Sequence, residues 1–377
     1  MHILIAPNAF KNSLDATAAA DAIREGFSKS KLACTCECFP IGDGGDGTAS
    51  LIIEKLKGTN VPVEVQDPLG RKIQASFGLI DNGQTAVIEM ADASGLRLLR
   101  QDELNPLQAS SYGTGEMIKA ALDKGVKKII IGMGGSATVD GGCSMLKALG
   151  VNFFDAGGNE LQNMPGSLSM LAHIDSKQLD KRILNCEVVV LCDVNNQLLG
   201  KEGAAYVFGP QKGAAGNDVA ALDQALAKFS AIALQLTGSN MAEIARGGTA
   251  GGAAAGLYAL INAKLVNGID YFLDITSFDK ALQNCDLVVT GEGSIDEQTL
   301  HGKGFFGVVY RAKQKKIPVM GFAGKIPLQT DNKLRDFFDV LLPIGNDVTD
   351  LRTALQLTAE NLSRTAMETG NLLALKK

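Results

Sequence analysis

Histidine is scarce in this sequence and cysteine follows no metal-binding spacing, and both features narrow the possible chemistry. The histidines are His2, His173 and His301. With so few, a histidine-centred catalytic triad has few places to exist. The seven cysteines are odd in number and include no C-x-x-C pair, which argues against a disulfide framework and a structural zinc site. Cys34, Cys36 and Cys38 alternate, so they are predicted to line one face of a strand.

Three further absences bound the function class. No G-x-x-x-x-G-K-[ST] occurs, so a nucleotide would not be held by a Walker A loop. The formal net charge of -5 gives no general attraction to nucleic acid or anionic lipid, and an anionic substrate would need a local positive pocket. The N-terminus lacks the pattern of a signal peptide, and no apolar run approaches membrane-spanning length. We therefore expect a cytoplasmic protein without nucleic-acid or membrane partners; the sequence leaves open a homo-oligomer.

Length and glycine content are the positive signals of composition. A chain of 377 residues exceeds what one hydrophobic core normally supports, so two domains are expected. Hydrophobic residues make up 46% of the chain, which is ordinary globular usage. Forty-three glycines indicate several loops in which the backbone approaches a ligand closely or takes positive φ.

Buried strand candidates at the two chain ends predict one domain that is split in sequence. They cover residues 2–6, 37–41, 286–290, 318–323 and 340–343. With helical stretches between them, they suit a doubly wound, flavodoxin-like parallel sheet built from residues 1–67 and 277–377. Residues 68–276 are predicted to form an inserted mixed α/β domain.

The predicted inserted domain has a different pattern of strands and helices. Residues 61–67, leading into it, and 71–80 and 85–90 within it alternate like antiparallel strands, and the turn residues 81–83 supply a hairpin. Strands are also predicted at 128–131 and 187–192. Helices are expected near 114–124 and over about 218–236.

Glycine-rich loops with polar side chains follow several predicted strands, where ligands of α/β sheets bind. PIGDGGDGT combines two carboxylates, Asp43 and Asp46, with glycines whose N–H groups can turn toward one point. IIIGMGGSATVDGG and GGTAGG are two further loops of this type. One such loop is as well explained by a capped turn, but three together favour phosphate and magnesium binding. The candidate nucleotide-binding residues here are Gly44, Gly45, Gly134, Gly135, Ser136, Thr138, Gly248, Thr249 and Gly251.

Carboxylates and cations in or near these loops supply the other groups that phosphoryl transfer requires. Asp193 ends an apolar strand and is a candidate base for the attacking hydroxyl, although a capped strand end is a comparable explanation. Cations in loops could pair with carboxylate or phosphate, but each taken alone is better explained as a solvated surface charge. The candidate ligands of an anionic acceptor substrate are Lys11, which is also a candidate catalytic residue, Ser13, Arg71 and Asn195. Lys212 and Lys303 join the nucleotide set, and the candidate metal ligands are Asp43, Asp46, Asp140, Glu292 and Asp296.

A nicotinamide enzyme is the main rival interpretation. Residues 132–137 fit G-x-G-x-x-A after a strand, and Asp155 follows at about the spacing of a ribose-binding acid. Against it, residues 140–142 would interrupt the helix that should begin directly after the glycines. A noncatalytic sugar-acid sensor is a further alternative, although it would need no magnesium carboxylates.

Many separate blocks resemble the bacterial (type I) glycerate kinase family. They are, in order, APNAFKNSL, PIGDGGDGT, DPLGR, TAVIEMADASGL, IIIGMGGSATVDGG, VFGPQKGA, GGTAGG and TGEGSIDEQTLHGK. The resemblance covers nearly the whole chain and implies ATP and D-glycerate as substrates and a two-domain α/β architecture. It also favours 2-phosphoglycerate over 3-phosphoglycerate as the product. Asn8, Asn12 and Asp46 depart slightly from the family pattern while keeping polarity and size.

Overall fold

The computed structural model describes residues 1–295, 304–327 and 332–375. Strands and helices alternate through most of this part of the chain. The strands are β1 (His2–Ile5), β2 (Thr35–Cys38), β3 (Thr59–Gln66), β4 (Lys72–Ile80), β5 (Thr85–Glu89), β6 (Lys128–Gly132), β7 (Asn152–Phe154), β8 (His173–Asp175), β9 (Glu187–Cys192), β10 (Lys264–Asn267), β11 (Leu287–Ser294), β12 (Val319–Lys325) and β13 (Val340–Pro343).

The α-helices range from single turns to 21 residues. They are α1 (Ala16–Lys29), α2 (Thr48–Lys55), α3 (Ala91–Ser94), α4 (Tyr112–Asp123), α5 (Cys143–Ala148), α6 (Ala204–Phe208), α7 (Asn217–Thr237), α8 (Ala253–Ile261), α9 (Gly268–Ile275), α10 (Phe278–Ala281), α11 (Gly304–Gln314), α12 (Asn332–Phe337), α13 (Leu351–Gln356) and α14 (Thr358–Ala374).

The chain divides into two compact units, and the first joins its two ends. Unit 1 comprises Met1–Asp43 and Ile269–Lys377; unit 2 comprises Gly44–Gly268. The segments 44–67 and 269–276 therefore lie in other units than the predicted boundaries gave them. One cause is that β3 pairs along its whole length with β4, which ties it to unit 2. Whether each unit folds as an independent domain stays a prediction.

Unit 1 contains an all-parallel sheet in the order β2-β1-β11-β12-β13. This is the flavodoxin-like strand order, and it confirms the predicted fold class. Helix α1 packs closely on α14 because Gly26 has no Cβ. A Cβ at this position would overlap Ser363 O. Cys34, Cys36 and Cys38 pack together against the apolar cluster beneath α1, as their alternation predicted.

Unit 2 contains a mixed six-stranded sheet in the order β10-β9-β6-β5-β4-β3. The β3-β4 and β4-β5 pairs are antiparallel, and the remaining pairs are parallel. The predicted hairpin is confirmed, with Asn82 at φ 55° in its turn. Because β5, β6 and β9 run the same way, their carboxyl ends meet at one edge, where the loops described below begin.

Some element limits differ from the sequence prediction. The second strand ends at Cys38 rather than at residue 41, and the helix predicted through residues 351–369 is broken into α13 and α14 at Leu357. Helix α13 begins where Asp350 caps its first turn by accepting a hydrogen bond from Thr353 N.

Helix α7 corrects one sequence-level statement. The sequence was expected to contain no apolar run of membrane-spanning length. Helix α7 is nevertheless long and apolar enough to cross a membrane, judged by length and composition alone. Its face carrying Leu222, Leu226 and Phe229 is fully buried in the apolar cluster of unit 2. A core helix passes the same test, so this feature alone does not indicate a membrane span.

Candidate active site

Three glycine-rich loops of unit 2 meet beyond the carboxyl ends of β6 and β9. We call the loops 44–47, 133–142 and 246–252 together the loop junction. Gly134 N donates to Gly44 O at 2.9 Å, and Gly141 N donates to Gly251 O at 3.0 Å. A Cβ on Gly134 would overlap the backbone of Gly45. Glycine is therefore required because the backbones touch, which explains the density of glycine in these motifs.

Lys212 extends its charged end into the loop junction. The residue is 3% exposed and lies in a short 3-10 turn that ends at Gly213, φ 99°. Its Nζ donates to Ser136 Oγ at 2.9 Å and to Thr138 O at 2.7 Å. Burial lowers the pKa of Lys212 to about 7, while the nearby charges of Asp140 and Asp193 act in the opposite direction. A buried cation with a near-neutral pKa can respond strongly to an anionic ligand.

Two buried hydroxyls at the loop junction have no hydrogen-bond partner among the described residues. Thr138 and Thr249 are 0% and 1% exposed, and the Oγ1 atom of each lacks a partner. Burial raises the pKa of the Cys192 thiol to about 12, and a weak contact with the Thr249 side chain acts in the opposite direction; beyond this thiol, Thr249 Oγ1 has no partner among the described residues. Because buried polar atoms are nearly always hydrogen-bonded, these hydroxyls mark a position where a ligand oxygen would be accommodated.

Asp140 has a different environment from the one its metal prediction assumed. It is fully buried, and its Oδ2 accepts from Ser111 Oγ at 2.6 Å and Ser144 N at 3.3 Å, while Oδ1 accepts from Gly142 N at 2.9 Å. These donors hold the loop onto the start of α5. The geometry supports a structural role, and metal binding by Asp140 stays a prediction.

Asp193 and Asn195 follow β9 directly and adjoin the loop junction. Asn195 O accepts from Arg246 N at 3.4 Å, and Asp193 is close enough for its charge to raise the pKa of Lys212. Asp193 is half-buried and Asn195 is exposed. The charge of Asp193, the candidate base, therefore acts on Lys212, the candidate phosphate-binding residue.

Acidic side chains collect where β5 ends, next to loop 44–47. Glu89 is 3% exposed; its Oε2 accepts from Ala49 N at 2.8 Å, and its Oε1 has no partner among the described residues. Burial raises the pKa of Glu89 well above its ordinary value, with further contributions from Asp46 and Asp92. Arg97 pairs with Asp92 and lies 3.7 Å from Asp46 Oδ1. Asp46 is thus the half-exposed member of an acidic group.

Several predicted residues lie in unit 1. Asn8 Nδ2 donates to Asp43 Oδ2 at 2.9 Å, and both side chains abut Gly304 at the start of α11, where a Cβ would lie 2.8 Å from Asp43 Oδ2. The exposed Lys11 stands in a tight turn after β1. Glu292 lies within β11, which runs to Ser294, rather than in a loop after it.

Two predicted residues have contacts that bear on their roles. Ser13 Oγ donates to Leu355 O at 2.6 Å, so its hydroxyl holds α13. Arg71 pairs with Asp67 at 2.5 Å and with Glu103 at 2.8 Å, which leaves its charge already balanced. Asp296 and Lys303 lie outside the described residues.

Metal-binding groups are not gathered into a cage in the described ranges. Among residues 1–295, 304–327 and 332–375, no three His, Cys, Asp or Glu side chains are placed to hold an ion together. Magnesium in phosphoryl-transfer sites usually takes only one or two protein carboxylates and completes its shell with water and substrate phosphates. The half-exposed Asp46, whose Oδ2 would lie 3.5 Å from a Cβ on Gly135, fits that requirement.

The dinucleotide-fold interpretation fails on strand pairing. Helix α5 leads from β6 to β7, and β7 pairs antiparallel with β8 in a separate two-stranded sheet. The carboxylate of Asp155 accepts from Gly157 N and Asn159 N within its own turn. The β-α-β unit that a dinucleotide-binding fold needs is therefore not formed at this motif.

Sequence reasoning missed the residues that support these groups. Ser111 bonds Asp140 from 29 positions away, and Glu89 binds α2 from 40 positions away. Glu89 carried a usable signal, since a carboxylate at the end of an otherwise apolar strand is unusual. Ser111 and Asn8 carried none beyond their polarity.

Comparison with known proteins shows the family of this chain. Residues 3–374 match the profile of the Glycerate kinase family. The glycerate kinase of Bacillus subtilis is 42% identical over 377 residues, covering 100% of this chain and 99% of that protein. The glycerate 2-kinase of Escherichia coli K12 is 38% identical over 375 residues, covering 100% and 98%. A crystal structure from Salmonella typhimurium LT2, assigned as glycerate kinase 2, superposes with a TM-score of 0.83 at 41% identity, covering 100% of this chain and 98% of that one. The chain belongs to the glycerate kinase family.

Proposed function

We propose that the protein transfers the γ-phosphate of ATP to the 2-hydroxyl of D-glycerate, giving 2-phospho-D-glycerate and ADP in the cytoplasm. The family supports the kinase reaction, and the name of the Escherichia coli relative supports the 2-position. The observation that carries the phosphate site is the buried Lys212 Nζ in the same glycine-lined loop junction as two unpartnered threonine hydroxyls.

The residues of the loop junction suit a phosphate chain. Lys212 supplies a positive charge, and Thr138 and Thr249 supply hydroxyl donors for phosphate oxygens. Ser136, bonded to Lys212, orients that cation. Magnesium bound through Asp46 would neutralise charge on the phosphates. Asp43, Asp140 and Glu292 remain predicted ligands with less support from their contacts, and Asp296, outside the described residues, remains a predicted ligand.

The acceptor hydroxyl requires a carboxylate beside the phosphate site. Asp193 is the best-placed candidate, because it follows β9 and its charge acts on Lys212. It would orient the hydroxyl and accept its proton as the bond to phosphorus forms. Asn195, exposed beside it, suits a contact with glycerate, and Lys11 remains the predicted cation for the carboxylate. Arg71 has less support, since two carboxylates already bind it.

A coupled ADP-release assay tests the proposal. We expect turnover with D-glycerate and magnesium ATP, a very slow reaction with glycerol because it lacks the carboxylate, and ¹³C NMR coupling to phosphorus at C2 of the product. Equal rates with glycerol would overturn the substrate assignment. Glycerate binding without ADP release would favour the sensor alternative instead.

A further inference from the structure

A cavity of about 380 Å³ lies in unit 2 beside the edge strand β10. Its volume falls within the range of sites that bind small molecules. It shares one residue, Arg246, with the loop junction and is otherwise built from different segments. The lining residues that matter here are Ile244, Ala245, Arg246, Tyr258, Asn262 and Leu265.

The walls of this cavity suit a flat ring with a polar edge. Ile244, Ala245 and Leu265 provide apolar surface, and Tyr258 adds an aromatic ring from α8. Asn262 contributes an amide, which can both donate and accept. Strand β10 is paired on one side with β9 and is last in the order of its sheet, so alternate backbone N–H and C=O groups remain available. A purine has this combination of an apolar face and an edge of alternating donors and acceptors.

Arg246 connects the cavity to the loop junction. Its Nε is buried without a partner among the described residues, and its backbone has φ 70°. Its carbonyl accepts from Thr249 N at 3.1 Å, and its N–H donates to Asn195 O. The residue thus stands between the apolar walls and the hydroxyls that mark the phosphate position. The cavity lining contains cations and no carboxylate, which favours an anionic ligand.

We propose that this cavity binds the purine base of the nucleotide whose phosphates lie in the loop junction. The inference rests on the proposed kinase function for the identity of the phosphates. The base lies between Tyr258 and the apolar wall at Ile244 and Leu265. Arg246 lies between the base and the phosphates of the ligand, and its unpartnered Nε can donate a hydrogen bond to the ligand.

Photolabelling of the wild-type protein locates the base without any variant. 8-Azido-ADP places its reactive nitrogen on the purine ring, so the label reports the position of the base. We expect the modified peptide to fall within residues 239–265 and the label to be displaced by excess ADP. Displaceable label confined to other segments would overturn the inference.

A cavity-filling substitution tests the same point by affinity. Ala245 is exposed and lines the cavity, so Ala245→Trp fills the space from a surface position. Its matched control is Ala242→Trp, in the same loop but outside the lining. Calorimetry should show ADP binding weakened at least about tenfold in Ala245→Trp, with pyrophosphate binding and the control variant unchanged. Unchanged ADP binding, or equal weakening of both probes, in a variant with native circular dichroism would overturn the inference.

Failure of the inference and failure of the proposed function give different results. If the wild-type protein shows the expected label and ADP pattern but does not phosphorylate glycerate, only the proposed function fails. If the protein phosphorylates glycerate, but the label falls outside residues 239–265 and Ala245→Trp leaves ADP affinity unchanged, only the base site fails.

Discussion

Replacing Lys212 with methionine is expected to lower turnover at least about a hundredfold while leaving the fold intact. Methionine has a similar length and no charge, so it keeps the packing and removes the cation that would neutralise phosphate. The loss should appear in ADP affinity as well as in turnover, because the charge acts on bound phosphates before and during transfer. Steady-state kinetics and calorimetry with ADP check this expectation.

The near-neutral pKa of Lys212 adds a pH signature. An adjacent phosphate favours the charged form, so ligand binding above about pH 7 should draw a proton from the buffer. The affinity for ADP should therefore fall as pH rises from 7 to 9 in the wild type and vary less in Lys212→Met. Calorimetry in two buffers of different ionisation enthalpy measures the proton uptake directly.

The same depressed pKa fixes the sign of the stability change. The unfolded chain keeps Lys212 protonated up to its ordinary value of 10.5, whereas the folded chain releases that proton near 7. The contribution of Lys212 to stability therefore rises with pH across that window and is most unfavourable below it. Lys212→Met removes this dependence of stability on pH.

Lys201→Met, at an exposed position, is the matched control for Lys212→Met and should leave activity and its pH dependence unchanged. Wild-type kinetics in a folded Lys212→Met would contradict the proposed phosphate site.

Asp193→Asn is expected to lower kcat by about a hundredfold or more, the usual effect of losing a general base. Asparagine preserves size and polarity, so the end of β9 should stay in place. ADP binding should change far less than kcat, because the carboxylate acts on the acceptor hydroxyl. The variant should also move the pKa of Lys212 further down, since the Asp193 charge raises it.

A second strand-end aspartate controls for general effects of such a change. Asp175 ends β8 and accepts a hydrogen bond from Lys177 N at 2.9 Å, so Asp175→Asn should leave kcat unchanged. Near-normal turnover in Asp193→Asn would remove Asp193 from the chemistry and leave it as a strand-end residue. Rapid-quench measurement of the first turnover separates that result from a change in product release.

The glycine loops show how far the sequence alone could predict the site. Glycine clusters after apolar strands predicted close backbone approach, and the contact of Gly134 with loop 44–47 confirms that reason. The flavodoxin-like order was predictable because buried strands at both ends alternate with helices. The limits of units 1 and 2 were less accessible, because pairing of β3 with β4 outweighs the neighbourhood of β3 in sequence.

Contacts between distant residues were not predictable from local patterns. Lys212 was one of several loop cations, and only the fold places its Nζ at Ser136, 76 positions earlier. Asp140 has the carboxylate of a possible metal ligand, yet its oxygens accept hydrogen bonds from Ser111 and from the backbone at the start of α5. The cavity beside β10 combines a loop, a helix and a strand edge, none of which carries a nucleotide motif of its own.

A crystal structure of the full-length protein with magnesium and a non-hydrolysable ATP analogue tests the central claim most directly. The account predicts phosphate oxygens within about 3 Å, hydrogen-bond distance, of Lys212 Nζ and of the Thr138 or Thr249 hydroxyl. A phosphate chain bound away from these three residues, with Lys212 still bonded only to Ser136 and Thr138, would contradict it.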